Sequence, residues 1–100
     1  MTPLYEASSV RNPFAVSCFF VVAATDPSVM PRVLEAFSKL GLVPTKWHSV
    51  VTGRYRDELH IDIQMAGLGP TQTELLAQLL RRIVFVDTML TLEKRELLSA

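Results

Sequence analysis

Residues 14–29 read FAVSCFFVVAATDPSV, an apolar run that ends in a short polar turn. A strand with one face in water alternates apolar and polar residues, whereas this run has almost no polar position. We therefore expect a strand from Phe14 to Ala24, central in a sheet and covered on both faces. Asp26-Pro27-Ser28 then leads into a helix, with Ser28 as the expected cap and Pro31 tolerated in the first turn.

Two helices follow from apolar residues at helical spacing. The first ends at Gly41, a residue typical of helix termini. The second opens with Thr71-Gln-Thr-Glu74, which has the spacing of a capping box. The apolar stripes are Val29, Met30, Val33, Leu34, Phe37 and Leu40 in the first helix, and Leu75, Leu76, Leu79, Leu80 and Ile83 in the second.

Three further strands complete the pattern. A strand from Val43 to Thr52 carries Pro44 near its start, which favours an edge position because proline donates no hydrogen bond. The short connection 53–57 predicts an antiparallel return along Leu59–Met65, where apolar and polar residues alternate. The fourth strand is expected over Val84–Leu92.

The element order is strand, helix, strand, strand, helix, strand, which predicts an α+β, ferredoxin-like fold. In that fold both helices cover one face of a four-stranded antiparallel sheet. We expect an N-terminal arm over residues 1–13, one domain over 14–92 and a C-terminal tail over 93–100. The sheet face without helices would still present apolar residues of the central strand. A second copy of the chain is the simplest cover, so a homodimer or larger homo-oligomer is expected.

Composition argues against several classes of partner. The chain has ten basic and ten acidic residues among 100 and no run of like charge, so neither nucleic acid nor a membrane surface is expected as a partner. No apolar run is long enough to cross a bilayer. Cys18 is the one cysteine, so no intramolecular disulfide can form, and it is expected to be a small core residue. A reducing, cytoplasmic location is the natural expectation.

Several ferredoxin-like functions require residues that this chain lacks. A metal carrier needs Cys-x-x-Cys, and an RNA-binding version needs aromatic residues where the third strand has His60, Asp62 and Gln64. An acylphosphatase-like enzyme needs a glycine-rich loop and an arginine after the first strand. His48 is expected on the same face as His60 and Asp62, where the three side chains could hold a metal or move a proton. A polar strip is the favoured interpretation, so no metal, cofactor or catalytic residue is assigned and the chain is not expected to be an enzyme.

With these elements in place, the chain resembles the ACT domain, a small regulatory module that binds ligands. The resemblance rests on Asp26-Pro27-Ser28-Val29, Arg32-Val33, Phe37 and Gly41, which look like the family's turn, valine, phenylalanine and closing glycine. Within the family, the helix looks most like the regulatory (small) subunit of acetolactate synthase.

The resemblance implies an amino acid, branched-chain ones first, bound between two subunits, and a catalytic enzyme subunit as partner. Carried over by position, its ligand-binding residues are Thr25, Asp26, Ser28 and Val29 in the loop, and Val43 from the neighbour. Asp26 would take the ammonium group, and the N–H groups of Ser28 and Val29 the carboxylate. Ser28 stands where the family has glycine, and Val43 and Ala23 are less polar than usual. Plain helix capping by Asp26 and Ser28, in an interaction subunit that binds no metabolite, is the main alternative.

Overall fold

The computed structural model of the protein describes residues 15–95. Its elements are β1 (Ala15–Ala24), α1 (Val29–Lys39), β2 (Lys46–Thr52), β3 (Glu58–Ala66), α2 (Pro70–Arg81) and β4 (Val86–Arg95). The strands form one antiparallel sheet in the order β2-β3-β1-β4. The predicted ferredoxin-like α+β fold is confirmed, with β1 central and β2 at an edge. The predicted arm, and the part of the predicted tail beyond residue 95, lie outside the described residues.

Two strand boundaries differ from the sequence-based expectation. β4 runs from Val86 to Arg95, so residues 93–95 of the expected tail belong to the sheet. β2 begins at Lys46 instead of Val43. The N–H of Thr45 donates to the carbonyl of Gln64 at 2.8 Å, which starts the β2–β3 pairing after the proline.

The second helix begins earlier than the capping box predicted. α2 starts at Pro70, with Gly69 as the cap residue and no side-chain cap hydrogen bond. Proline suits the first helical position, because its φ angle is already helical and its missing N–H would have no partner there. Thr71 therefore lies inside the first turn, and the capping-box prediction was wrong.

The core lies between the sheet and the two helices. Its largest fully buried side chains come from β1, β3 and both helices, namely Phe19, Phe37, Ile61, Ile63, Leu76 and Leu80. The rings of Phe19 and Phe37 meet edge to face, with centroids 6.3 Å apart. The expected helical stripes were too wide, because Met30, Leu34 and Leu75 are exposed.

The end of α1 follows the prediction at Gly41. The N–H of Gly41 donates to the carbonyl of Ser38 at 3.0 Å, and the N–H of Leu42 to that of Phe37 at 2.9 Å. Gly41 has a φ of +70°, which is the left-handed conformation that this paired arrangement requires. Leu42 is consequently turned back into the core, where it is buried.

The open face, meaning the sheet face opposite the helices, has an apolar half. In the antiparallel register Phe20 lies beside Leu90, and Cys18 lies beside Leu92. Cys18 is half-buried on this face, so its expected place in the core was wrong. Leu90 and Leu92 are 59% and 66% exposed. Within a single chain, therefore, the helices cover one face of β1 and leave the other half-buried.

Candidate functional site

The loop between β1 and α1 is a closed turn built around Asp26. Its Oδ1 accepts hydrogen bonds from the Ser28 N–H at 2.9 Å and from the Ser28 hydroxyl at 2.6 Å. The carbonyl of Asp26 accepts the Val29 N–H at 3.1 Å. Ser28 is the N-cap residue of α1, as expected, but it has helical dihedral angles and its side chain makes no capping hydrogen bond. The Asp26 carboxylate therefore closes the turn that precedes the helix, and Pro27 lies between Asp26 and Ser28.

These hydrogen bonds favour the ionised form of Asp26. The Ser28 hydroxyl and then the Ser28 N–H hold the pKa of Asp26 below its ordinary value of 3.8, with a smaller contribution from the charge of Arg32. Asp26 is therefore anionic at neutral pH. Within residues 15–95 no hydrogen bond reaches its second oxygen, Oδ2. An ammonium group could bind there.

The same hydrogen bonds occupy the amides that were expected to hold a ligand carboxylate. The Ser28 and Val29 N–H groups both donate to Asp26. The loop of one chain thus presents a negative charge, while its two expected anion donors are already engaged. A bound amino acid would need a partner for its carboxylate from elsewhere.

The remaining loop positions differ in what they can offer a ligand. Thr25 is exposed, and its hydroxyl has no hydrogen-bond partner among the residues described. The Val29 side chain is completely buried in the core, so only its backbone could reach a ligand. The N–H of Ala24 donates to the carbonyl of Phe85 at 2.9 Å, which ties the loop to the connection between α2 and β4. Phe85 has a φ of +79° and an exposed ring.

Val43, the fifth predicted ligand residue, lies far from this loop in the same chain. The N–H of Thr45 donates a hydrogen bond to the carbonyl of Gln64, and Gln64 lies opposite Cys18, near the beginning of β1, in the β1–β3 register. From Cys18 to Thr25 the chain advances seven residues, about 23 Å at the rise of a strand. Val43 is 80% exposed at that other end of the sheet. A site that uses both regions must therefore take them from two chains.

The open face is the second candidate site, and it divides into two halves. The β1 and β4 half forms a shallow depression of about 540 Å³ lined by Cys18, Phe20, Leu90 and Leu92 together with polar neighbours. Sequence reasoning found the apolar β1 residues but assigned no role to those of β4. Thr88, Leu90 and Leu92 are spaced two residues apart, so they share one face of a strand. This spacing is the signal that would have placed the two leucines on the open face.

The β2 and β3 half of the open face is polar. His48 lies opposite Asp62 and on the same face as His60, as expected. His60 Nε2 lies 3.0 Å from Glu58 Oε1, and its ring meets Phe20 edge to face at 5.4 Å. Across residues 15–95 no group of three or more histidine, cysteine or acidic side chains is arranged to hold a metal ion. This half is therefore a polar strip beside an apolar one.

A model of the ACT-like domain family matches residues 10–97 of the chain. The protein therefore belongs to the ACT-like domain family, whose members are typically regulatory and ligand-binding modules. Such domains are regulatory rather than catalytic, and no catalytic family is identified for this chain.

The fold has a counterpart among solved structures. The chain is similar to the C-terminal domain of the MgtC protein from Mycobacterium tuberculosis, whose solution structure superposes with a TM-score of 0.65 at 13% sequence identity. The similarity covers 89% of this chain and 97% of that domain, and at such identity it shows the fold alone. No protein with curated functional information matches the chain. None of the helices within residues 15–95 is long and apolar enough to cross a membrane.

Proposed function

We propose that this protein is a non-catalytic regulatory module that binds a small amino acid between two copies of itself. The observation that carries the proposal is the anionic Asp26 carboxylate with one unbonded oxygen. It would accept the ligand's ammonium group. The segment that precedes β2 in the neighbouring copy, near Val43, would complete the site, together with the exposed Thr25 and the backbone of Ser28 and Val29.

The mechanism we propose is differential binding. A ligand that contacts two chains stabilises the arrangement of the two chains in which both contacts exist. A catalytic subunit bound to the module would then sense which arrangement is populated, and the ligand's effect on the enzyme would equal the enzyme's effect on ligand affinity. No covalent bond changes in the module itself.

The partner we propose is a biosynthetic enzyme in the cytoplasm. The likeness of α1 to the regulatory subunit of acetolactate synthase makes branched-chain amino acids the first ligands to test. The zero net charge of the chain and its ACT-like family are consistent with this role, in which neither nucleic acid nor a membrane takes part.

Thermal stabilisation by a panel of amino acids tests the proposal. At about one hundred times its dissociation constant, a ligand adds about 2.7 kcal/mol to the free energy of unfolding. We expect Asp26→Asn to abolish that gain, because the amide keeps an acceptor oxygen but loses the charge. Asp57→Asn is the matched control, since Asp57 is an exposed acid in the β2–β3 turn. An equal loss in both variants would contradict a site at Asp26.

The engaged amides of the loop favour a second candidate function, an interaction subunit that binds no metabolite. In that role Asp26 and Ser28 only close the turn, and the apolar half of the open face carries the function. This candidate is supported if no amino acid raises the melting temperature while the chain still forms oligomers. A ligand that stabilises the wild-type chain and not Asp26→Asn would eliminate it.

A further inference from the structure

A groove between the two helices concentrates positive charge that is scattered in the sequence. The groove has a volume of about 320 Å³ and is lined by Arg32 and Lys39 from α1 and by Arg82, which follows α2. Among residues 15–95, Glu35 is the one acidic residue that lines it. The chain as a whole is neutral, with ten basic and ten acidic residues. The groove is therefore a local excess of two positive charges, created by the packing of α1 against α2.

The three cations form no ion pair within 4 Å with the residues described, although the charge of Arg32 acts on the Asp26 carboxylate from a longer distance. The ion pair found over residues 15–95 joins His60 to Glu58 on the opposite side of the sheet. Arg32, Lys39 and Arg82 are each exposed. Arg32 and Lys39 are seven residues apart on one helix, about 10.5 Å along its axis, and Arg82 lines the groove from the end of the second helix. Cations left unpaired around one concave surface are available to an anionic ligand.

The floor of the groove is apolar. Ala36 is buried there, Leu79 and Ile83 are half-buried, and Val84 is 59% exposed at the rim. The volume falls at the lower end of the range for small-molecule sites, roughly 300–1,000 Å³. A ligand that fits must therefore combine a strongly anionic group with an apolar or planar one.

We infer that this groove binds a phosphate monoester that carries an apolar or planar group, as a nucleoside monophosphate does. A phosphate monoester has a charge of about −1.5 to −2 at neutral pH, which matches the local excess. Arginine guanidinium groups donate paired N–H bonds with the geometry that phosphate oxygens accept. The planar base would lie over the Ile83 and Val84 surface. This site is distinct from the proposed amino-acid site, so the module would respond to two kinds of metabolite.

Isothermal titration of the full chain at low ionic strength tests the inference with three probes: adenosine monophosphate, adenosine and inorganic phosphate. We expect adenosine monophosphate to bind, phosphate to bind more weakly, and adenosine to give no measurable heat. Arg82→Gln and Lys39→Gln should each weaken binding of the nucleotide by roughly tenfold or more, since each removes a charged hydrogen-bond donor. Arg54→Gln, in the exposed β2–β3 turn outside the groove, should leave the affinity unchanged.

Three results would overturn the inference. The first is that adenosine monophosphate gives no heat at millimolar concentration. The second is that adenosine and adenosine monophosphate bind with equal affinity. The third is that Arg54→Gln and Arg82→Gln lower the affinity for the nucleotide equally. Equal affinity for phosphate and the nucleotide would remove the role of the apolar floor. Failure of this site is distinguishable from failure of the amino-acid site, because stabilisation by an amino acid should depend on Asp26 and survive Arg82→Gln.

Discussion

The apolar half of the open face should hold two copies of the chain together, and Leu90→Lys is the sharpest test of that expectation. Complete burial of a leucine side chain stabilises a protein by about 1.5–3 kcal/mol. Leu90 is 59% exposed in the single chain, so burial of the exposed part should contribute about 1–2 kcal/mol. A two-fold pair contains this residue twice, which gives about 2–4 kcal/mol per dimer.

Loss of about 2–4 kcal/mol in Leu90→Lys should raise the dissociation constant of the dimer by roughly 30- to 1,000-fold. Sedimentation velocity at micromolar concentration measures the change directly. The substitution should leave the single chain folded, because Leu90 already faces solvent there and a lysine at that position needs no burial. Leu75→Lys provides the matched control, since Leu75 is a 45% exposed leucine on the helical layer.

Two results would refute this reasoning. A wild-type chain that sediments as a monomer at micromolar concentration would show that the open face is stable in water. Equal weakening by Leu90→Lys and Leu75→Lys would show that association, where it occurs, does not depend on the open face.

Three further predictions concern the folded chain itself. Phe37→Ala should lower the free energy of unfolding, measured by urea denaturation, by about 3–5 kcal/mol, because Phe37 is 1% exposed and packs in the core. Leu34→Ala is the control, and it should lower this free energy by less than about 1 kcal/mol because Leu34 is 47% exposed. Gly53→Ala and Gly41→Ala should each cost about 1–2 kcal/mol for the left-handed backbone conformation. Gly53→Ala should cost more, since its Cβ would lie 2.6 Å from Asp57 Oδ1, whereas no atom of the described residues lies within 4 Å of a Cβ at Gly41. Equal losses would show that the Asp57 side chain moves away freely. The folded-state pKa of Asp26 is lowered, so its contribution to stability is present above the ordinary pKa of 3.8 and is lost as the pH falls through the folded-state value. The difference in unfolding free energy between the wild-type chain and Asp26→Asn should therefore shrink on going from pH 7 to below pH 3, and a difference that stays constant would contradict the role of the charge.

Much of the fold could be predicted because the pattern of side chains is unambiguous in the decisive places. The alternation along β3 fixed which of its residues face the helices, and every one of those residues is buried. Pro44 correctly placed β2 at an edge, and Gly41 correctly ended α1. The proline and glycine signals rest on local restrictions of the backbone, and the β3 signal rests on the two-residue period of a strand.

The errors have a common physical origin in sequences that satisfy more than one pattern. An apolar strand without alternating polar residues does not show which of its side chains face the helices. The position of Cys18 on the open face could therefore not be predicted from the β1 sequence alone. Pro70 and the threonine of a capping box compete for the start of one helix, and the proline prevails. The apolar stripe of α1 is wider than the part of the helix that the sheet can cover, so residues at its margin, such as Leu34, stay exposed.

The candidate sites were harder to predict than the fold, because they depend on contacts between distant segments. The turn sequence indicated a ligand loop. Whether the Ser28 amide is free depends on the Asp26 rotamer, and whether the Val29 amide is free depends on the backbone turn, neither of which the sequence specifies. The helical groove was not predicted at all. Arg32 and Arg82 are fifty residues apart in the chain, and only the packing of the two helices brings them to one surface.

The geometry of the sheet links the proposed amino-acid site to the expected dimer of the open face. Asp26 and Val43 lie at opposite ends of one chain, so an amino-acid site that needs both can exist only between copies. An antiparallel pairing of two chains brings the end of one sheet next to the opposite end of the other, as a two-fold axis across the strands requires. Leu90→Lys should consequently reduce stabilisation by an amino acid as well as dimerisation, although Leu90 is not among the proposed ligand residues. Loss of the dimer with full retention of ligand stabilisation would place the amino-acid site within a single chain.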